Sequence, residues 1–218
     1  MSATTVLLAD DHPVVRQGLR ALLQAEPDLH VVGDVDDGLE AVRSVERLRP
    51  HVLVVDVLMP GLNGLEVARE VARRRDTRVV ILSMHDDPSY VERALRYGAT
   101  SYVLKDSTAT ELVQAVRETA TGRRYLSPAL MPPAEGADAR RRDGAADEPY
   151  DLLTSREREV FQLTAEGHTA AAIGERLFIG RRTVETHRMN LMQKLALRTQ
   201  SELIRYAVRL GILRIGPA

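Results

Sequence analysis

Over residues 1–122, short apolar runs alternate with longer stretches of mixed polarity. The apolar runs at 5–9, 30–34, 52–56, 79–84 and 101–104 predict strands. Segments such as VLVVD and VVILSM are apolar at consecutive positions, the pattern of strands covered on both faces. Helical patterns begin near Pro13, Gly38, Gly64, Ser89 and Thr108. Five strand–helix units in succession predict an α/β fold, a doubly wound five-stranded parallel sheet. Such sheets gather their sites at the carboxyl ends of the strands.

The pattern lapses over 123–149, RRYLSPALMPPAEGADARRRDGAADEP. Paired prolines, small residues and mixed charge offer little to bury, so this stretch predicts a linker, a flexible tether from about Pro132. Helical punctuation resumes over 150–218. Thr154 with Glu157 reads as a capping box, and Gly167 is placed to end that helix. Thr169 can open a second helix, and a third starts near Gly180 or Arg181. Thr199 with Glu202 opens a fourth, which stops at Gly211. A small all-α four-helix domain is expected there.

Composition adds bounds. With 44% hydrophobic and 28% charged residues, the chain is ordinary globular material. The absence of cysteine removes disulfides, thiolate metal sites and cysteine nucleophiles. The start MSATTVLLADD has no basic leader, and its apolar run is too short for a signal peptide or a membrane span; a soluble, cytoplasmic protein is expected. Residues 1–122 carry 14 basic and 19 acidic side chains (net −5), 123–149 five of each, and 150–218 eleven basic and seven acidic (net +4). An acidic head with a basic tail suggests that the C-terminal part meets a polyanion.

The strand ends carry the candidate chemistry. Asp10 and Asp11 follow the first strand, Asp56 ends the third, Ser83 lies at the end of the fourth, and Lys105 follows the fifth. Three carboxylates gathered on one rim resist full ionisation. A hard cation relieves that conflict, and Mg²⁺ suits carboxylates together with phosphate oxygens. Asp56 could then act as nucleophile toward a phosphoryl group, with Mg²⁺ and Lys105 neutralising developing charge and Ser83 donating to a phosphoryl oxygen. Only Lys105 and Lys194 among the 30 basic residues are lysines, so a compact point charge is singled out at that strand end. Taken one at a time, each residue has a plainer reading: Asp10 and Asp11 as a turn or cap, Ser83 as a strand-end hydroxyl, Lys105 as a solvated charge.

The set DDHPVVRQGL, VVDVLMPGLNGLE, VVILSMHDD and GATSYVLKD resembles the receiver domain of two-component response regulators over residues 4–121. The resemblance implies Asp56 as phosphoacceptor, Asp10 and Asp11 as Mg²⁺-binding carboxylates and the Leu58 main-chain carbonyl as a further ligand. It implies Lys105 and Ser83 as phosphoryl contacts, Tyr102 as a switch aromatic that turns inward, and a sensor histidine kinase as partner. Many receivers have a cis proline after the lysine, whereas this chain has Asp106. His12 and His85 are expected to be rim or loop histidines without a catalytic role.

A second stretch, LTSREREVFQLTAEGHTAAAIGERLFIGRRTVETHRMNLMQKLALRTQSELIRYAV, resembles the LuxR-type helix-turn-helix of the NarL/FixJ regulators. On a helix over 182–195, Val184, Leu191 and Leu195 form one stripe. Thr186, Met189 and Gln193 face the opposite way, and Glu185 and Asn190 lie on the flanks. A face of medium-sized polar groups and one Met suits the floor of a major groove in double-stranded promoter DNA. The family's base-contacting positions map onto Glu185, Thr186 and Met189, while Arg181, Arg182, Arg188 and Lys194 lie where phosphates would be, with Thr183 in the first turn. The resemblance also implies a homodimer on a roughly palindromic site, with the 199–210 helix as a candidate pairing surface. Ala171 stands where relatives commonly carry lysine. Gly174 inside a helix and Gly180 at an N-cap predict a slightly softened module. A phosphate sink without DNA output is disfavoured by the basic domain, and a phosphorylation-independent binder by the intact acidic set. No enzymatic output is expected, since the second domain lacks any acid–base or nucleophile constellation.

Overall fold

The computed structural model describes residues 3–73, 76–130 and 149–213, and the chain divides into two compact units, 1–136 and 137–218. The first unit is built from β1 (Thr4–Ala9), α1 (Pro13–Gln24), β2 (Leu29–Val35), α2 (Gly38–Leu48), β3 (Val52–Asp56), α3 (Gly64–Ala72), β4 (Arg78–Ser83), α4 (Pro88–Arg96), β5 (Ser101–Leu104) and α5 (Ala109–Ala120). All neighbouring strands pair in parallel, in the order β2-β1-β3-β4-β5. This is the five-stranded, doubly wound sheet that the apolar runs predict, and each strand boundary falls within a residue of the sequence reading.

The alternation of side chains along each strand divides the core in two. Val6, Leu8, Val52, Val54, Val80, Leu82 and Val103 pack with Leu23 of α1 and Leu112, Val113 and Val116 of α5. Their strand neighbours Leu7, Leu53, Val55 and Ile81, also buried, point to the opposite face. With both faces covered, the fixed outcome of the β order is its switch point: the chain winds one way from β1 to β2 and the other way from β1 to β3. The crevice opened there lies beyond Ala9 and Asp56.

Local sequence sets each helix entry. Asp37 accepts from the amides of Leu39 and Glu40 at the start of α2, and Asn63 does the same for Leu65 and Glu66 at α3. Gly64 permits a close approach that matters for the site. Its amide donates to Val57 O at 2.8 Å, and a Cβ there would sit 2.0 Å from the Asp56 carbonyl oxygen.

The first unit does not stop at residue 122. After α5, residues 125–127 run beside β5 through a parallel bridge between Tyr102 and Leu126, followed by a 3-10 turn at Pro128–Leu130. Tyr125 packs on the α5 side of the core. The tether expected from Pro132 lies outside the described residues.

The second unit opens with a 3-10 turn, Pro149–Leu152, and contains α6 (Ser155–Ala165), α7 (Ala170–Leu177), α8 (Arg181–Lys194) and α9 (Gln200–Arg209). Both expected capping boxes are present, Thr154 with Glu157 and Thr199 with Glu202, and Thr169 caps α7. Phe161 stands at the centre, edge-on to Tyr150 and Tyr206 at centroid distances of 5.4 and 6.0 Å. Gly174 has a packing reason rather than a merely softening effect. A Cβ there would lie 2.7 Å from the Ile179 carbonyl oxygen, so glycine lets the turn into α8 fold tightly back on α7.

Candidate functional site

Asp10 lies one residue past β1, Asp56 ends β3, Ser83 ends β4 and Lys105 follows β5, so the parallel sheet brings all four to one rim. Asp10 and Asp56 are 1% and 2% exposed. Lys105 Nζ lies between them, 2.8 Å from Asp10 Oδ2 and 2.8 Å from Asp56 Oδ2. Ligand atoms of Asp10, Asp11, His12 and Asp56 all lie within 4.8 Å of one another. His12, expected as a rim or loop histidine, stands on the rim, with Nδ1 2.7 Å from Asp11 Oδ1. Asp10 also accepts from the His12 amide at 2.8 Å, so the turn reading and the site reading of this carboxylate hold together.

Burial shapes the electrostatics. Desolvation pushes the Asp56 carboxyl above its ordinary range, against the Lys105 hydrogen bond and charge and the Leu58 amide, which pull it down. Burial alone would lower Lys105, but hydrogen bonds to Asp10 and Asp56 outweigh it and raise the ammonium above its usual value. The rim therefore holds two buried carboxylates against one ammonium, with Asp11 on its exposed side. Its donor set is all hard oxygen apart from His12, which fits a divalent cation of the Mg²⁺ kind.

Around this centre, Ser83 Oγ accepts from the His85 amide at 3.0 Å. Tyr102 is fully buried, and its hydroxyl donates to the His85 carbonyl at 2.8 Å. Tyr102, which the resemblance implies turns inward as the Ser83 hydroxyl engages a phosphoryl group, lies inward in this structure. Burial pushes its hydroxyl up to about 12, against a hydrogen bond with Ser83 that pulls it down. No cis peptide occurs among the described residues, and Lys105 reaches both carboxylates with Asp106 after it.

On α8 the helical projection holds. Val184, Leu191 and Leu195 are buried, while Thr186, Met189 and Gln193 are exposed, Met189 to 64%. Arg182, Thr183 and Glu185 are also exposed, and Arg188 is half-buried. Arg181 Nε donates to Glu185 at 2.8 Å, Thr186 Oγ1 to its own helix at Arg182 O, and Arg188 to Gln200 at 3.2 Å. Lys194 differs from the arginines. Its Nζ donates to Glu157 Oε2 at 2.7 Å, and that carboxylate, 3% exposed, also accepts from the Thr154 amide. The ammonium therefore joins the end of α8 to the start of α6, a partnership that linear sequence does not signal.

Comparison with known proteins matches both units. The response regulator receiver domain profile covers residues 6–117, and that of bacterial regulatory proteins of the luxR family covers 151–207. The chain is 38% identical to the transcriptional regulatory protein LiaR of Bacillus subtilis, over 94% of this chain and 96% of that one. It is 36% identical to the probable transcriptional regulatory protein NarL of Mycobacterium tuberculosis, over 95% of each. Among solved structures, the receiver domain of that NarL aligns with a TM-score of 0.55 at 40% identity, covering 56% of this chain and all of that one. The RcsB response regulator of Salmonella typhimurium aligns with a TM-score of 0.55 at 25% identity, over 96% of this chain and 100% of that one.

Proposed function

This chain belongs to the NarL/FixJ-type response regulators, a receiver joined to a luxR-type helix-turn-helix, and from that premise we propose that Asp56 is the phosphoacceptor by which a sensor histidine kinase governs its binding to promoter DNA. The observation that carries the reading is the buried Asp56 carboxylate with the Lys105 ammonium at 2.8 Å and Asp10 beyond it. An Asp56 oxygen attacks phosphorus as the bond to the donor imidazole breaks and the imidazole leaves. Lys105 is placed to follow the oxygens that gain charge, and the Ser83 hydroxyl to donate to one of them. Asp10 and Asp11, with Asp56 and the Leu58 main-chain carbonyl, are the residues that would hold Mg²⁺. When bound, that ion supplies charge neutralisation at the phosphoryl group.

In the helical unit, Glu185, Thr186 and Met189 are the proposed base-reading positions, with Thr183 and Gln193 at the two ends of the same exposed face. Arg181, Arg182 and Arg188 are the proposed phosphate contacts. Lys194 serves as a brace for α8, because its ammonium is committed to Glu157. One such helix reads few base pairs, so a homodimer on paired half-sites is proposed, with α9 as its pairing surface. The unphosphorylated receiver is proposed to mask α8 or α9, and phosphorylation to shift the equilibrium through Ser83 and Tyr102. No helix among the described residues is long and apolar enough to cross a membrane, and a cytoplasmic location is proposed.

The test is a titration of a DNA fragment recovered by binding-site mapping, with and without acetyl phosphate and Mg²⁺. The donor should tighten wild-type binding by roughly tenfold and leave Asp56→Asn unchanged. Equal binding by both proteins in both conditions would sink the reading.

A further inference from the structure

At one edge of the sheet, β5 has no further strand beside it among the described residues, so its outward main-chain groups need partners. Residues 125–127 supply them. The Tyr102 amide donates to Tyr125 O at 2.9 Å, and the Ser127 amide donates to Tyr102 O at 3.0 Å. The Tyr125 amide donates to Ser101 Oγ at 3.0 Å. Both main-chain groups of the inward aromatic are thus tied to chain that the sequence reads as linker.

Ser127 reaches further. It is 1% exposed, and its Oγ accepts from the Leu104 amide at 3.1 Å and lies 2.9 Å from Ser107 Oγ. Leu104 and Ser107 stand on either side of Lys105, whose own amide donates to Ser83 O at 2.8 Å. The backbone carrying the rim ammonium is therefore gripped from two directions, by β4 on one side and by a single buried hydroxyl on the other. An alanine at 127 would leave the Leu104 amide without that acceptor at a buried position, and Ser107 without its side-chain partner.

We propose that Ser127 is a positioning residue for Lys105, and that through it the phosphoryl site holds the first stretch of chain leading to the helical unit. This rests on the reading of Asp56 as phosphoacceptor. When Asp56 carries a phosphoryl group, the Lys105 ammonium must turn from the Asp10–Asp56 pair toward the new oxygens. A grip that sets where Lys105 starts also senses where it goes, because coupling between two sites is reciprocal. Residues 125–127 lead directly into Pro128–Leu130, so a change at Lys105 is delivered to the chain between the units without passing through a helix face.

The test uses the full chain with Mg²⁺ and acetyl phosphate, in which an Asp56 oxygen bonds to phosphorus as the donor's P–O bond breaks and acetate leaves. Phosphorylation rate, amide hydrogen exchange and thermal midpoint are measured for wild type, Ser127→Ala, Ser107→Ala and the double variant. Ser127→Ala should phosphorylate about tenfold more slowly, because a misplaced ammonium stabilises the transition state poorly. Exchange should quicken at both 105–107 and 125–127. Ser107→Ala should lose about threefold, and the double variant should match Ser127→Ala alone, since both act through one contact. In wild type, phosphorylation should alter exchange at 125–127 as well as at 105–107. A wild-type rate in Ser127→Ala, with exchange altered only at 125–127, overturns the proposal. Should that variant fail to fold, an unchanged rate in Ser107→Ala overturns it instead. Failure of wild type to label, or labelling of Asp56→Asn, would overturn the reading of Asp56 itself and this proposal with it.

Discussion

At the scale of single residues, the rim is a place where function is kept at the expense of stability. Asp56 has its carboxyl pushed above the ordinary range by burial, so ionising it costs more in the folded chain than in the unfolded one. The sign follows directly. The folded state binds this proton more tightly, so the contribution of Asp56 to stability falls as pH rises from the unfolded value near 3.8 through the raised folded value. Without Mg²⁺, Asp56→Asn should therefore be more stable than wild type at neutral pH, by about 1 kcal/mol, a shift of a few degrees in Tm. The gap should close as pH is lowered toward the unfolded value. Added Mg²⁺ should stabilise wild type more than the variant, narrowing or reversing the order. Thermal melts at several pH values with and without the cation decide this. An Asp56→Asn chain less stable than wild type at every pH would contradict it.

At the scale of elements, what could be read in advance was what local physics dictates. The apolar runs of β3 and β4, the capping boxes at Thr154 and Thr199 and the buried stripe of Val184, Leu191 and Leu195 all follow from neighbours within one turn or one strand. The rim also followed, because a parallel sheet leaves little choice about where strand ends meet. Ser127 was hidden by its company: a hydrophilic, proline-flanked stretch reads as tether unless the edge strand beside it is seen. The Glu157–Lys194 pair spans 37 positions and has no local signature. Two glycines of the helical unit show the same division. Propensity alone favours Gly174→Ala by about 1 kcal/mol, yet the added Cβ meets the Ile179 carbonyl oxygen at 2.7 Å, so the variant should melt lower than wild type. Gly180 has no side-chain cap, an extended backbone (φ −66°, ψ 147°) and only Thr183 Oγ1 near its Cβ position, at 3.9 Å. Gly180→Ser should raise stability by a few tenths of a kcal/mol. Melting curves of the two variants, expected to move in opposite directions, test both statements.

At the scale of the whole molecule, an acidic receiver and a basic reader of DNA are joined through chain whose first residues belong to the receiver's own edge. The proposed switch thus needs no large rearrangement to begin, only a change at Lys105 that reaches residue 127. The near-exclusion of lysine has a practical consequence for watching this happen. In 218 residues there are two lysines, one in each unit, and each has its ammonium pinned to a buried carboxylate. A lysine-specific protease therefore finds two bonds to cut, and each becomes cleavable only when its own unit opens. The products of the two cuts, separated on a gel, would report two local stabilities from one sample. With acetyl phosphate and Mg²⁺ present, cutting after Lys105 should slow. If phosphorylation frees the helical unit as proposed, cutting after Lys194 should quicken, and an unchanged rate there would count against that release.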